Sequence, residues 1–423
     1  MVEKIKNFFK TLPLNKAHSY FMGSAAIVQF IPIFTAPIIA RLYTPEDFGA
    51  YAVFFGLVAI ISSFAQLAFH NAILLAKSDE EAATANILSI LISVMVSLSI
   101  FLIVLFIPEF LIINLFGDYV LKLLIWLPLT VLITSLYTCL YTWWIRKGYY
   151  KRLGINQLVL GISTALIQIT IGFLEFDAIG FVIANLIGNL LALILLVKIV
   201  INDMLNIDHQ FNIENAKKQL HKRKALILFT TPAGLINSLA SYLPDFFINT
   251  IFGTNKLGQY SLANRMVNMP LNFFSASIQD IFKEQASKEF NNYGHCMNSF
   301  KKYLTMMSIV SFFILIPIIL ILPYVFPFIF GNQWKEAGFL IQPLIILISL
   351  RFISSPLSYV WIIKGHQDLD MYWQIGLIVL TILTFLLTPS NNIITVLWSF
   401  SFFVGLWYGL CIYLSFIFSK PKK

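Results

Sequence analysis

The chain has 423 residues, 58% of them apolar and only 12% charged, about half the charged fraction of an ordinary soluble domain. That composition excludes a water-soluble globule, and apolar runs that are continuous instead of alternating with period two exclude an outer-membrane β-barrel. A net charge of +9 would suggest nucleic acid in a soluble protein, but here the basic residues border apolar runs and form no patch, so no nucleic-acid partner is expected.

A hydrocarbon core of roughly 30 Å takes about 20 apolar residues per helix. Twelve stretches qualify: 17–40, 48–76, 84–107, 119–145, 153–174, 178–201, 225–251, 258–282, 303–322, 338–363, 371–388 and 393–418. Ahead of them, residues 1–16 hold Lys4, Lys6, Lys10 and Lys16, with Ile5, Phe8, Phe9 and Leu12 at helical spacing, the pattern of a short interfacial segment. The first apolar run is longer than the core of a signal peptide and ends in Arg41-Leu42-Tyr43-Thr44-Pro45 instead of a small-residue cleavage site. It therefore reads as span one.

Of the 29 Lys and Arg residues, four (Arg41, Lys122, Lys256, Lys335) fall in or at the edge of odd-numbered connections and two (Arg265, Arg351) lie deep within spans; the other 23 sit at the termini and in or at the edge of even-numbered connections. Both termini are thus expected to be cytoplasmic. The longest connection, 202–224, carries Lys217, Lys218, Lys222, Arg223 and Lys224 and reads as a cytoplasmic linker. It would join an N-terminal bundle of residues 17–201 to a C-terminal bundle of residues 225–418, with a short cytoplasmic tail, 419–423.

The two halves repeat. Residues 43–51 (YTPEDFGAY) align with 252–260 (FGTNKLGQY) at an offset of 209, which matches Gly49 to Gly258. Pro108 and Phe116-Gly117 recur as Pro323 and Phe330-Gly331, and Lys147-Gly148 recurs as Lys364-Gly365. Six spans per unit is an even number, so the halves share one orientation and are related by a pseudo-two-fold axis along the membrane normal. The expected fold is an all-α polytopic membrane protein of two six-helix bundles, an architecture of transporters.

Repeated bundles place substrate at their interface near mid-membrane, and proline-broken helices in corresponding positions point to it. Span one has Pro32 and Pro37, and span seven has Pro232 and Pro244. These four are the hinge candidates. An arginine at a helix centre is unfavourable by about 2.5 to 3.5 kcal/mol even on lenient scales, so charge at depth needs a reason. Arg351 lies thirteen residues from both Gly338 and Lys364, about 20 Å from either end of span ten, among Ser354, Ser355 and Ser358. With no carboxylate near it in sequence, it points to a wet, anion-accepting cavity. Arg265 lies in span eight, and Asp245 in span seven is its candidate ion-pair partner or a site of cation coupling. The mid-span amides Gln29, Gln168 and Asn237 suit sugar hydroxyls or interhelical hydrogen bonds equally well. Gln66, His70 and Asn71 read as a helix–helix contact. No nucleotide fingerprint, metal cluster or paired carboxylates occur, and Cys139, Cys296 and Cys411 are far apart, so no cofactor, metal site or catalytic residue is expected.

The stretch Ala40-Arg41-Leu42-Tyr43-Thr44-Pro45-Glu46-Asp47-Phe48-Gly49-Ala50-Tyr51 resembles the opening signature of bacterial polysaccharide biosynthesis flippases, O-antigen flippases among them. Asp245, Phe252-Gly253, the run from Gly258 to Arg265, and Pro270 resemble the corresponding pattern in the second half. The resemblance implies a fold like the multidrug and toxin extrusion transporters. It further implies movement of a polyprenyl-diphosphate-linked oligosaccharide across the bacterial inner membrane, with a polymerase and a chain-length regulator as further partners. Arg351 and Arg265 would neutralise the diphosphate, and Arg41, Gly49 and Gly258 would form the outer-end repeat motif. A cation-coupled multidrug exporter of the same fold is the alternative, although it calls for carboxylates more than arginines. A membrane-embedded polymerase or acyltransferase would need a site at a membrane face, and only His70 suits the latter.

Overall fold

The computed structural model describes residues 16–207, 212–366, 368–388 and 391–421. Residues 1–15, most of the expected interfacial segment, lie outside them. Among the described residues every regular element is helical. The first half comprises α1 (Lys16–Leu42), α2 (Pro45–Phe64), α3 (His70–Leu75), α4 (Asp79–Phe106), α5 (Glu109–Phe116), α6 (Asp118–Leu124), α7 (Leu127–Arg146), α8 (Tyr150–Phe173) and α9 (Ile179–Leu205). Within the predicted linker, α10 (Ile213–Lys222) follows. The second half comprises α11 (Thr231–Phe252), α12 (Thr254–Tyr293), α13 (Met297–Val310), α14 (Ile316–Phe330), α15 (Lys335–Ile341), α16 (Ile345–Leu357), α17 (Tyr359–Ile363), α18 (Asp368–Leu387) and α19 (Ile393–Ser419).

These helices build twelve bundle segments close to the expected spans. Nine are single helices or runs long and apolar enough to cross a membrane, and α6 with α7 makes a tenth bent by 55°. Several segments are interrupted where backbone geometry changes. Span two breaks between α2 and α3, where Leu67 (φ 47°) and Ala68 (φ 53°) take the left-handed conformation that side chains disfavour. Five-residue π-turns occupy 226–230, just before Pro232, and 311–315, between α13 and α14.

Helix ends follow local chemistry. Thr44 and Asp47 close a capping box at the start of α2: the Asp47 N–H donates to Thr44 Oγ1 (3.2 Å) and the Thr44 N–H to Asp47 Oδ2 (2.9 Å), with Pro45 in the first turn. The repeated glycines Gly117 and Gly331 stop α5 and α14 at φ 87° and 105°, a backbone that glycine adopts freely.

In the first half α1 packs on α8, α8 on α9, α9 on α7 and α7 on α4; in the second, α16 and α18 pack on α19. The halves meet where α2 lies against α11 and α12. At the opposite end Arg146 ties the first bundle, donating to the carbonyls of Ile73 (3.0 Å), Ala76 (2.8 Å) and Ser78 (3.1 Å) and pairing with Asp79 (3.2 Å). The linker joins that cluster through Lys222 to Glu81 (2.8 Å) and Arg223 to the Leu75 carbonyl (2.5 Å).

Candidate functional site: two cavities beneath a closed end

The repeat motif seals one end of the molecule. A Cβ on Gly49 would collide with the carbonyl oxygen of Thr254, and one on Gly258 with that of Pro45. Thr254 is the repeat partner of Pro45 just as Gly258 is of Gly49, so the contact is reciprocal about the pseudo-two-fold axis. Each glycine lets the other half's backbone approach. On that axis Asn255 donates to Glu46 Oε1 (2.5 Å), itself a pair of repeat-related residues.

Side chains from the turn before α15 reach across to the end of α1. Trp334 Nε1 and Gln333 Nε2 both donate to the Ala40 carbonyl at 2.6 Å, and Arg41 donates to the Ile329 carbonyl (3.3 Å). Gln259 holds this turn by donating to the Gln333 carbonyl and accepting from the Ala337 N–H. Phe48 completes the seal by packing its ring edge-on to Trp334, with centroids 4.8 Å apart. The motif residues Arg41, Gly49 and Gly258 are thus brought together. Gln333 and Trp334 were missed because nothing in a short loop sequence says which carbonyl it will meet.

Beneath the seal lie two separate cavities. The C-side cavity, about 340 Å³, is walled by α11, α12, α16, α18 and α19, and holds Arg351 with Asn237, Tyr260, Asn264, Asn268, Gln279 and Ser354. Asp370, Gln374, Ser355, Ser358 and Trp361 continue the wall, and Pro244 lines it too. Arg351 is exposed to this space, and among the described residues it forms no ion pair. A guanidinium so placed offers its five N–H donors to a ligand.

The N-side cavity, about 210 Å³, is lined by Pro32, Thr35, Tyr51, Phe55, Gln168, Phe181, Asn185, Asn189 and Arg265. Arg265 belongs to the second half yet lines the first half's cavity. Its neighbour Asn264 lines the other one, because consecutive residues of a helix are turned about 100° apart. Helix α12 is therefore the partition. The two arginines flank it from opposite sides and do not share one cavity.

Arg265 and Asp245 do not form the expected ion pair among the described residues; Tyr242 lies within electrostatic reach of both. Asp245 is half-buried and lines neither cavity. Asn237 and Gln168 reach the C-side and N-side cavities respectively, whereas Gln29 is exposed and reaches neither. Of the hinge prolines, Pro32 and Pro244 line cavities, Pro37 is half-buried within α1, and Pro232 lies one residue beyond a π-turn, after Thr231. Gln66 donates to the Ser135 carbonyl, the expected helix–helix contact. Asp370 went unnoticed because, one turn after a loop, it reads as a boundary residue.

The profile of the family described as polysaccharide biosynthesis protein matches residues 38–338, most of the chain. The chain belongs to this family. A curated relative, the teichuronic acid biosynthesis protein TuaB of Bacillus subtilis (strain 168), is 26% identical over 187 residues, which cover 42% of this chain and 38% of that relative's length. Among solved structures, the inward closed conformation of the lipid II flippase MurJ superposes with a TM-score of 0.73 at 15% identity, covering 93% of this chain and 87% of that one. An inward-facing multidrug resistance MATE family transporter gives 0.71 at 14% identity, covering 92% and 93%. Its outward-facing counterpart gives 0.60 at 13%, covering 95% and 92%. At these identities the likeness establishes the fold: this family member is a multi-pass membrane protein built as lipid-linked flippases and MATE transporters are.

Proposed function

We propose that this chain is a flippase that moves a polyprenyl-diphosphate-linked oligosaccharide from the cytoplasmic to the outer leaflet of the bacterial inner membrane, for O-antigen or a related surface polysaccharide. It acts by alternating access and makes or breaks no covalent bond. The observation that carries this reading is Arg351, a mid-span arginine without an ion-pair partner among the described residues, set in a polar cavity. A diphosphate supplies the anion that such a donor fork accepts, and the serines and amides around it suit sugar hydroxyls. The polyprenyl chain stays in the bilayer beside the cavity.

With the basic termini and even-numbered connections on the cytoplasmic side, the sealed motif end faces outward and the cavities face the cytoplasm. This is a state ready to load. Release requires the two halves to part at the 45–49 and 254–258 contact and close at the other end. Moving one charge through 100 mV is worth about 2.3 kcal/mol, so two negative charges leaving a negative-inside cell gain roughly 4 to 5 kcal/mol. The emptied cationic site is then drawn back inward. Asp245 remains a place for proton or sodium coupling.

The test is leaflet-to-leaflet transfer of a labelled polyprenyl-diphosphate oligosaccharide in liposomes with an imposed potential, comparing the native protein with Arg351→Ala and Arg351→Lys. Transfer that needs the arginine supports the reading. Transfer at the native rate without Arg351, or extrusion of cationic dyes in its place, overturns it.

A further inference from the structure

The C-side cavity has polarity along its length. Asp370 lies in the first turn of α18, at the end where the connection after Lys364 runs, while Arg351 lies thirteen residues before Lys364 on α16. At 1.5 Å per residue Lys364 lies about 20 Å along from Arg351, and Asp370 lies near that end because Trp361 and Trp373 of the two facing helices are level with each other; the cation thus sits at mid-depth and the carboxylate at the mouth. Asp370 is the single carboxylate among the cavity's described lining residues, and no ion pair there neutralises it. Gln374, one helical turn on, shares its face.

The wall behind this mouth is built of packed tryptophans. Trp373 stacks on Trp407 with ring centroids 4.6 Å apart and meets Trp361 edge-on at 5.6 Å. A ligand anchored by its diphosphate at Arg351 runs its sugars along the cavity, and the sugars farthest from the phosphate reach Asp370. An ionised carboxylate can only accept hydrogen bonds. It welcomes hydroxyl and ammonium groups and meets a sugar carboxylate with a like charge in a partly desolvated space.

We propose that Asp370 is a specificity residue: it favours neutral or amino sugars at the phosphate-distal end of the saccharide and rejects uronic acids there. This rests on the flippase reading above.

The experiment uses two polyprenyl-diphosphate oligosaccharides that differ only in the distal sugar, a neutral hexose or the matching uronic acid, in proteoliposomes of the full chain. Native protein moves the neutral lipid at least tenfold faster. Asp370→Asn brings the two rates within about twofold of each other, whereas Asp370→Glu keeps the native preference and shows that the charge matters. If Asp370→Asn discriminates as the native protein does, or moves neither lipid while Asp370→Glu behaves as native, the selective role is overturned and the flippase reading stands. Native protein that moves neither lipid overturns both.

Discussion

The two cavities occupy corresponding places in the two bundles yet differ in chemistry. Both linings include aromatic rings and a bonded asparagine pair, Asn268 to Asn264 on the C side and Asn189 to Asn185 on the N side, but around Arg351 the C side adds serines, further amides and one carboxylate, whereas the N side beside Arg265 is mostly apolar. One repeat unit has thus kept its packing and diverged in its lining. In the proposed mechanism the C side holds the sugars, while Arg265 supplies charge to a more apolar wall. An even division of labour between the arginines is the alternative, and substitution separates the two.

The largest effect is expected at Arg351. Leaving a bound phosphate without its donor is worth about 3 kcal/mol or more, so Arg351→Ala should reduce transfer on the order of 100-fold, measured as initial flipping rate. Lysine should recover part of it, because a point charge replaces only part of a planar fork. Arg265→Ala should cost about tenfold by the same assay. Equal losses at the two positions would contradict the asymmetry.

Two further changes probe the seal above both cavities. Gly258→Ala drives a methyl group into the Pro45 carbonyl and should part the halves. Labelling of a cysteine placed by Glu46→Cys should then rise severalfold, against a low background because Cys139, Cys296 and Cys411 are buried. Trp334→Phe keeps the packing and removes one donor to Ala40, a loss of about 1 kcal/mol that should raise the same labelling by about fivefold. Gln29→Ala, lining neither cavity, should leave transfer within twofold of native.

Most spans were legible because they carry enough apolar length to cross a bilayer, among the described residues nine as single helices or runs and a tenth as a bent pair, and the repeat was legible because its glycines mark turns and close approaches. Other features are silent in composition. Helix α12 has 40 residues where an apolar span of 258–282 was expected: beyond the membrane length it continues as a polar helix, closed by Lys288–Glu284 at 2.6 Å and ending at left-handed Gly294. The break at Leu67 and Ala68 has neither glycine nor proline to announce it. Arg265 and Asp245 suggested a pair by proximity in the hydropathy profile, but rotation of α12 within the bundle turned the arginine toward the first half. Sequence spacing fixes depth along a helix; it does not fix which neighbour the helix shows a given face.

That rotation gives the partition helix a thermodynamic role. Asn264 and Arg265 belong to one turn of α12, ahead of Pro270, so neither wall can shift without carrying the other. A ligand that moves this turn when it enters one cavity changes affinity in the second. By linkage, occupancy of the second must then alter the first by the same factor. Ligands that each displaced this turn would in this sense be coupled through a single turn of helix.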